Sequence, residues 1–194
     1  MRFNIKYNLK ENDNVIRSID FKSAHKIDIK EFVVAAKKWG NEITEWKRDH
    51  PEDTLILDTF KDNERRENGL LGERAVEKFL QVQFVDLKIS NSKNHAKPDL
   101  KPLGIDCGVK SAQMHNCPLI QLLEKQPQII VHIDKDTGTA YICGLASPNL
   151  FNKLYLKEAL VKDADALRNG KRGFCGHSKL IQFQNINDLQ LTIE

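Results

Sequence analysis

Asp99, Asp106 and Lys110 crowd into "KPDLKPLGIDCGVKSA", residues 97–112, a stretch that otherwise reads as a strand hairpin. Charged groups on a strand that packs against a core are costly unless something uses them. "KPLG" places Pro102 and Gly104 at the second and fourth positions of a type I turn. A turn over 101–104 pairs Leu100 with Ile105 and sets Asp99 opposite Asp106, about 5 Å apart. Two carboxylates so placed repel each other, and a divalent cation between them converts repulsion into ligation. Hard oxygen donors with no His or Cys in the immediate cluster point to Mg²⁺ or Mn²⁺ rather than zinc. Strand alternation puts Asp106, Gly108 and Lys110 on one face and Ile105, Cys107 and Val109 on the other, apolar one. Lys110 adds a cation that can orient or deprotonate a water and offset charge building on a phosphate. Carboxylate pair, metal and lysine are what metal-assisted phosphodiester hydrolysis requires.

The elements that position these groups are legible in the hydrophobic pattern. Between Asp28 and Lys47, Ile29, Phe32, Val33, Ala36, Trp39, Ile43 and Trp46 recur at spacings of three and four, which predicts a helix despite Gly40, with Pro51 after its end. "PEDTLILDTFKDNERRENG" gives a short apolar burst and then a charged run, a solvated helix or loop. In "GLLGERAVEKFL", Leu71, Ala75, Val76, Phe79 and Leu80 fill a stripe, and Glu73 lies about 20° beyond its edge at about 100° per residue. "QVQFVDLKIS" alternates as a strand, and "NSKNHAK" is a polar loop. "PQIIVHIDKDTGTAYICGLAS" is a hairpin whose turn accounts for Asp134 and Asp136, with His132 an ordinary strand residue. "SPNLFNKLYLKEALVKDADAL" reads as helical turns and "KLIQFQNINDLQLTIE" as closing strand, while "MRFNIKYN" and "NVIRSIDF" suggest peripheral strands. The expected architecture is α/β, a mixed central sheet flanked by helices.

At these residues the sequence resembles the PD-(D/E)xK nuclease superfamily. Glu73 on the helix "GLLGERAVEKFL", "PD" at Pro98–Asp99 and a strand ending "GVKSA" with Lys110 carry the resemblance, over roughly residues 66 to 150. It implies a restriction-endonuclease-like fold in residues 63–194, with residues 1–62 a helical N-terminal extension packed on it. It implies that Asp99 is the first metal-binding aspartate, Lys110 the catalytic lysine and Glu73 the helix carboxylate supporting a Mg²⁺ (or Mn²⁺) ion. The (D/E) slot two residues before the lysine holds Gly108. Asp106, four residues before, lies roughly 13 Å from Lys110 along a straight strand at about 3.3 Å per residue. Either a β-bulge at Gly108 brings Asp106 closer, or Asp106 acts from its own position while Lys110 reaches back. The implied activity is DNA endonuclease, with RNA not excluded, and a homodimer suits cutting of both strands. The alternative is a non-catalytic nucleic-acid-binding or protein-interaction module on the same fold.

Other candidates surround this core. Gln113, just beyond "VKSA", is placed to hydrogen-bond water or phosphate. Lys171 and Arg172, with Arg168 and Lys179 in "LRNGKRGFCGHSK", form a glycine-interrupted basic segment suited to a phosphate backbone. "HNC" at 115–117 and "CGH" at 175–177 hold two histidines and two cysteines, a tetrahedral zinc set in kind but with narrow spacing. Trp39 and Trp46, seven apart, suit helix packing. The 194 residues, 40% hydrophobic and 29% charged, support one sizeable core, and a net charge of +3 is too small to prescribe a nucleic-acid partner. No apolar run is long enough for a membrane span, and the N-terminus lacks a secretory h-region. The four scattered cysteines read as reduced thiols. A soluble, cytoplasmic protein is expected.

Overall fold

The computed structural model describes residues 2–6, 16–49, 60–87, 98–114, 116–122, 124–161 and 163–193. Strands β1 (Arg2–Lys6) and β2 (Ile16–Asp20) pair antiparallel, as the N-terminal alternation predicts. A third strand, β3 (His25–Asp28), follows and joins the central sheet, so part of the expected N-terminal extension belongs to the core. Helix α1 (Lys30–Asp49) begins where the Asp28 carboxylate accepts the Lys30 N–H. Its Ile29-to-Ile43 stripe is the predicted one: Ile29, Ala36 and Ile43 are buried, with Phe32, Val33 and Trp39 packed beside them. Pro51 and "EDTLILDT" lie outside the described residues.

Helix α2 (Phe60–Leu80) is longer than the apolar stripe alone suggests, because the charged run before it is also helical. It spans the expected boundary at residue 62. "QVQFVDL", expected as a strand, lies outside any sheet, beginning with a turn at Gln81, whose φ is 56°. Its Phe84 and Val85 N–H groups are taken instead by the Glu77 carboxylate, at 2.6 and 2.7 Å. "NSKNHAK" lies outside the described residues.

The central sheet has the order β3-β7-β6-β4, from β4 (Gly108–Gln113), β6 (Gln128–Asp134) and β7 (Thr139–Ala146). The expected hairpin is β6–β7, its turn held by Asp134, which accepts the N–H groups of Asp136 and Thr137. A bulge interrupts it: Ile130 pairs with Gly144 and Val131 with Ile142, leaving Cys143 as the extra residue. Ile142 and Leu145 therefore reach the same core cluster although three residues apart. β4 pairs with β6 in parallel.

One face of this sheet, including Val109, Ile129, Val131, Ile133 and Ile142, packs on α1 and α2. The other face, including Ile130, Tyr141 and Cys143, packs on a small sheet of order β5-β9-β8, from β5 (Leu119–Gln121), β8 (Leu156–Lys157) and β9 (Lys171–Phe174). The molecule is thus a mixed α/β protein in three layers. β9 occupies the segment expected as a basic loop, and β8 lies within the segment expected as helical, leaving there only the short α3 (Ala164–Arg168) and single 3₁₀ turns. The C-terminus departs from expectation too. "INDLQLTI" forms helix α4 (Ile186–Ile193), and the strand character before it is reduced to one bridge, Leu145 to Ile181.

Candidate functional site

Gly72 lets α2 settle onto β4. A Cβ at Gly72 would stand 2.6 Å from the Ser111 Cβ, so only glycine permits this approach. Ser111 Oγ completes the contact by donating to the Asn68 carbonyl at 2.7 Å. The next residue on α2 is Glu73. Burial, then the neighbouring carboxylates of Asp99 and Glu77, push its carboxyl from 4.5 up to about 8, with Lys110 and Arg74 pulling it down. Asp99 and Lys110 therefore both lie within electrostatic reach of Glu73.

Asp99 is delivered by the expected turn over 101–104, a 3₁₀ turn in which the Gly104 N–H donates to the Lys101 carbonyl at 2.9 Å and the Ile105 N–H to the Leu100 carbonyl at 3.3 Å. Beyond it the register slips, because the Leu100 N–H donates to the Cys107 carbonyl at 3.0 Å rather than back to Ile105. The expected facing of Asp99 and Asp106 is thereby lost. Asp99 Oδ2 instead accepts the Val109 N–H at 2.6 Å. The neighbouring Gly108 N–H points to Pro127 on the β6 side, so that of Val109 points to the opposite, outer edge of β4. Asp99 stands at this outer edge. Asp106 faces outward with 61% of its side chain exposed and pairs with Lys101 at 2.6 Å. The structure does not bring it to Asp99.

On β4, Val109 packs into the helical core, while Ser111 bonds Asn68 and Gln113 bonds Glu64, so these three face α2. Gly108, Lys110 and Ala112 take the opposite face. Gln113 is accordingly a tie between β4 and α2 rather than a neighbour of Lys110. Among the described residues, the Lys110 ammonium makes no hydrogen bond or ion pair. The β-bulge considered at Gly108 is not formed either: β4 and β6 pair without interruption from Gly108–Gln128 to Gln113–Ile133. The bulge sits in β7 instead.

The remaining candidates sit in the third layer. Arg172 on β9 donates to Glu158 at 2.6 Å and to the Leu167 and Lys171 carbonyls at 3.2 and 2.9 Å, so its guanidinium braces the small sheet. Lys171 is half-buried beside it. Of the zinc candidates, His115 lies outside the described residues, Cys117 is buried, and Cys175 Sγ donates to the Tyr155 carbonyl. His177 faces a residue read as ordinary: its Nε2 lies 2.9 Å from Nε2 of His132, which is fully buried. No group of three or more His, Cys, Asp or Glu side chains fit to hold a metal occurs among the described residues. The four cysteines are free thiols, with burial raising Cys107 and Cys143 to about 12.

A buried polar residue that sequence reading passed over is Gln128, which is 3% exposed. A Cβ on Gly108 would lie 2.4 Å from its Oε1, so its side chain covers the position where a residue at 108 would project. Its signal is the lone polar residue opening the apolar run "QIIVHI".

The donor set suits a hard divalent cation. Burial first, and then the nearby Asp99 carboxylate, hold the proton on Glu73, a state that a dipositive ion would relieve. Compared with known proteins, the sequence matches no family model, no curated protein and no solved structure at a significant level.

Proposed function

We propose that this protein is a metal-dependent endonuclease of the PD-(D/E)xK type, hydrolysing phosphodiester bonds in DNA. The observation that carries the reading is that Asp99, held at the outer edge of β4, and Lys110 on that strand both act electrostatically on the Glu73 carboxyl of α2. Glu73 and Asp99 would hold Mg²⁺ or Mn²⁺, which when bound supplies a Lewis acid that acidifies water and neutralises phosphate charge. Asp99 is oriented for this by the Val109 N–H, which fixes its Oδ2. Lys110 positions the attacking water and offsets the charge gathering on the scissile phosphate.

Incubation of plasmid DNA with Mg²⁺ or Mn²⁺ tests the proposal. Nicking that stops in EDTA and falls to background in Lys110→Ala supports it; wild-type protein that cuts no DNA or RNA substrate overturns it. A second reading, a nucleic-acid-binding module without cleavage, is favoured by Gly108 in the carboxylate slot and by the pairing of Asp106 with Lys101. Binding whose affinity falls steeply with salt, without cutting, selects that reading.

A further inference from the structure

We propose that Gln128 supplies the third oxygen ligand of the divalent cation, doing from β6 what the carboxylate two residues before the lysine does from β4 in the nuclease family. The proposal rests on the nuclease reading and deepens it. Gln128 and Gly108 are direct partners in the parallel ladder, so their side-chain positions share one face of the sheet, the face of Lys110. The Gln128 backbone lies one strand spacing from β4, about 4.8 Å, yet its amide reaches the place a Cβ of Gly108 would take. The side chain therefore leans from β6 over Gly108, beside the peptide whose Val109 N–H Asp99 accepts. Asp99 and Gln128 thus address the same peptide unit, Gly108–Val109, from two sides.

The amide is also oriented for the role. Its Nε2 donates to the Gln126 carbonyl at 3.4 Å, while Oε1, fully buried, accepts no hydrogen bond among the described residues. An amide oxygen is a hard donor suited to Mg²⁺, Mn²⁺ and Ca²⁺. Its neutrality leaves the site with two carboxylate charges instead of three. Gly108 is then explained without a lost function: any side chain there would collide with the Gln128 amide.

The test is Mn²⁺ binding, measured by calorimetry on the intact protein with melting temperatures recorded in EDTA. Gln128→Leu, close in volume, is expected to weaken Mn²⁺ binding at least tenfold. Gln128→Glu is expected to tighten it at least tenfold, to melt lower than wild type in EDTA, and to gain more than wild type from added Mn²⁺. The exchange Gly108→Asp with Gln128→Gly, which returns a carboxylate to β4, is expected to recover the binding that Gln128→Gly alone loses. The Gln128→Glu arm decides the question even where the leucine variant fails to fold. If Asp99→Asn abolishes Mn²⁺ binding while folded Gln128 variants bind as wild type does, the proposal is overturned and the nuclease reading stands. If wild type binds no Mn²⁺ and cuts nothing, both fall together.

Discussion

Helix α2 carries two glutamates one turn apart in opposite conditions. Glu77 is almost fully buried, but its Oε1 accepts two backbone N–H groups and its Oε2 pairs with Arg74 at 2.5 Å. Every demand a buried carboxylate makes is met there, and the group holds the chain leaving α2 against the core. Glu73, by contrast, has no such set of donors among the described residues: burial and the neighbouring Asp99 carboxylate raise its carboxyl to about 8. A buried carboxylate answered by donors is structural, whereas one facing a second carboxylate is where the proposed cation would sit.

Four experiments break or sharpen this contrast, the first with the largest effect. Asp99→Asn keeps an acceptor for the Val109 N–H but removes the charge. Cleavage is expected to fall by about 10³-fold or more, with the circular dichroism spectrum unchanged. Retained activity in this variant would dissolve the distinction between the two glutamates. Glu77→Leu removes the acceptor of two buried N–H groups and strands Arg74. It is expected to lower stability by roughly 3 kcal/mol in urea unfolding, while variants that remain folded keep their Mn²⁺ affinity.

The third experiment concerns pH. A carboxyl raised from 4.5 to about 8 keeps its proton in the folded state while the unfolded chain has released it. The folded state then binds more protons, so stability without metal falls as pH rises through that window. Glu73→Gln removes the loss. Melting scans in EDTA should show a flatter pH dependence for the variant and a higher melting temperature than wild type at pH 8. An equally steep decline in both would mean that Glu73 is ordinary. The smallest effect belongs to Asp106→Asn, which breaks an exposed pair with Lys101. A change below about 1 kcal/mol is expected, with cleavage unaltered.

The difference between Asp99 and Asp106 also marks how far the site was legible in the sequence. Residue types named Glu73, Asp99 and Lys110 together. The expected turn over 101–104 and the Leu100–Ile105 contact both form, but the Leu100 N–H passes on to the Cys107 carbonyl, a slip past Asp106 that the turn residues do not signal. Gln128 escaped notice because its meaning depends on the parallel neighbour Gly108, twenty residues earlier.

Among the elements, α1 and the β6–β7 hairpin follow directly from periodicity. Helix α4 does not, since "KLIQFQNINDLQL" alternates well enough to suggest a strand. The overlooked signal is its start: Asn185 Oδ1 accepts the Asn187 and Asp188 N–H groups, and Asp188 reaches back to the Gln184 N–H. β9 was hidden by its charges, which look like loop until Arg172 is seen folded back onto Glu158 and neighbouring carbonyls.

The hydrogen bond from Val109 to Asp99 has a consequence for association between molecules. β4 ends the central sheet, and an end strand with unclaimed backbone groups invites pairing with a strand from another chain. Asp99 occupies the Val109 N–H, and Leu100 takes the neighbouring Cys107 carbonyl. The turn that delivers the carboxylate thus also covers the first backbone groups of this margin, so presenting an acidic group and capping the start of an edge strand are tasks of the same few atoms.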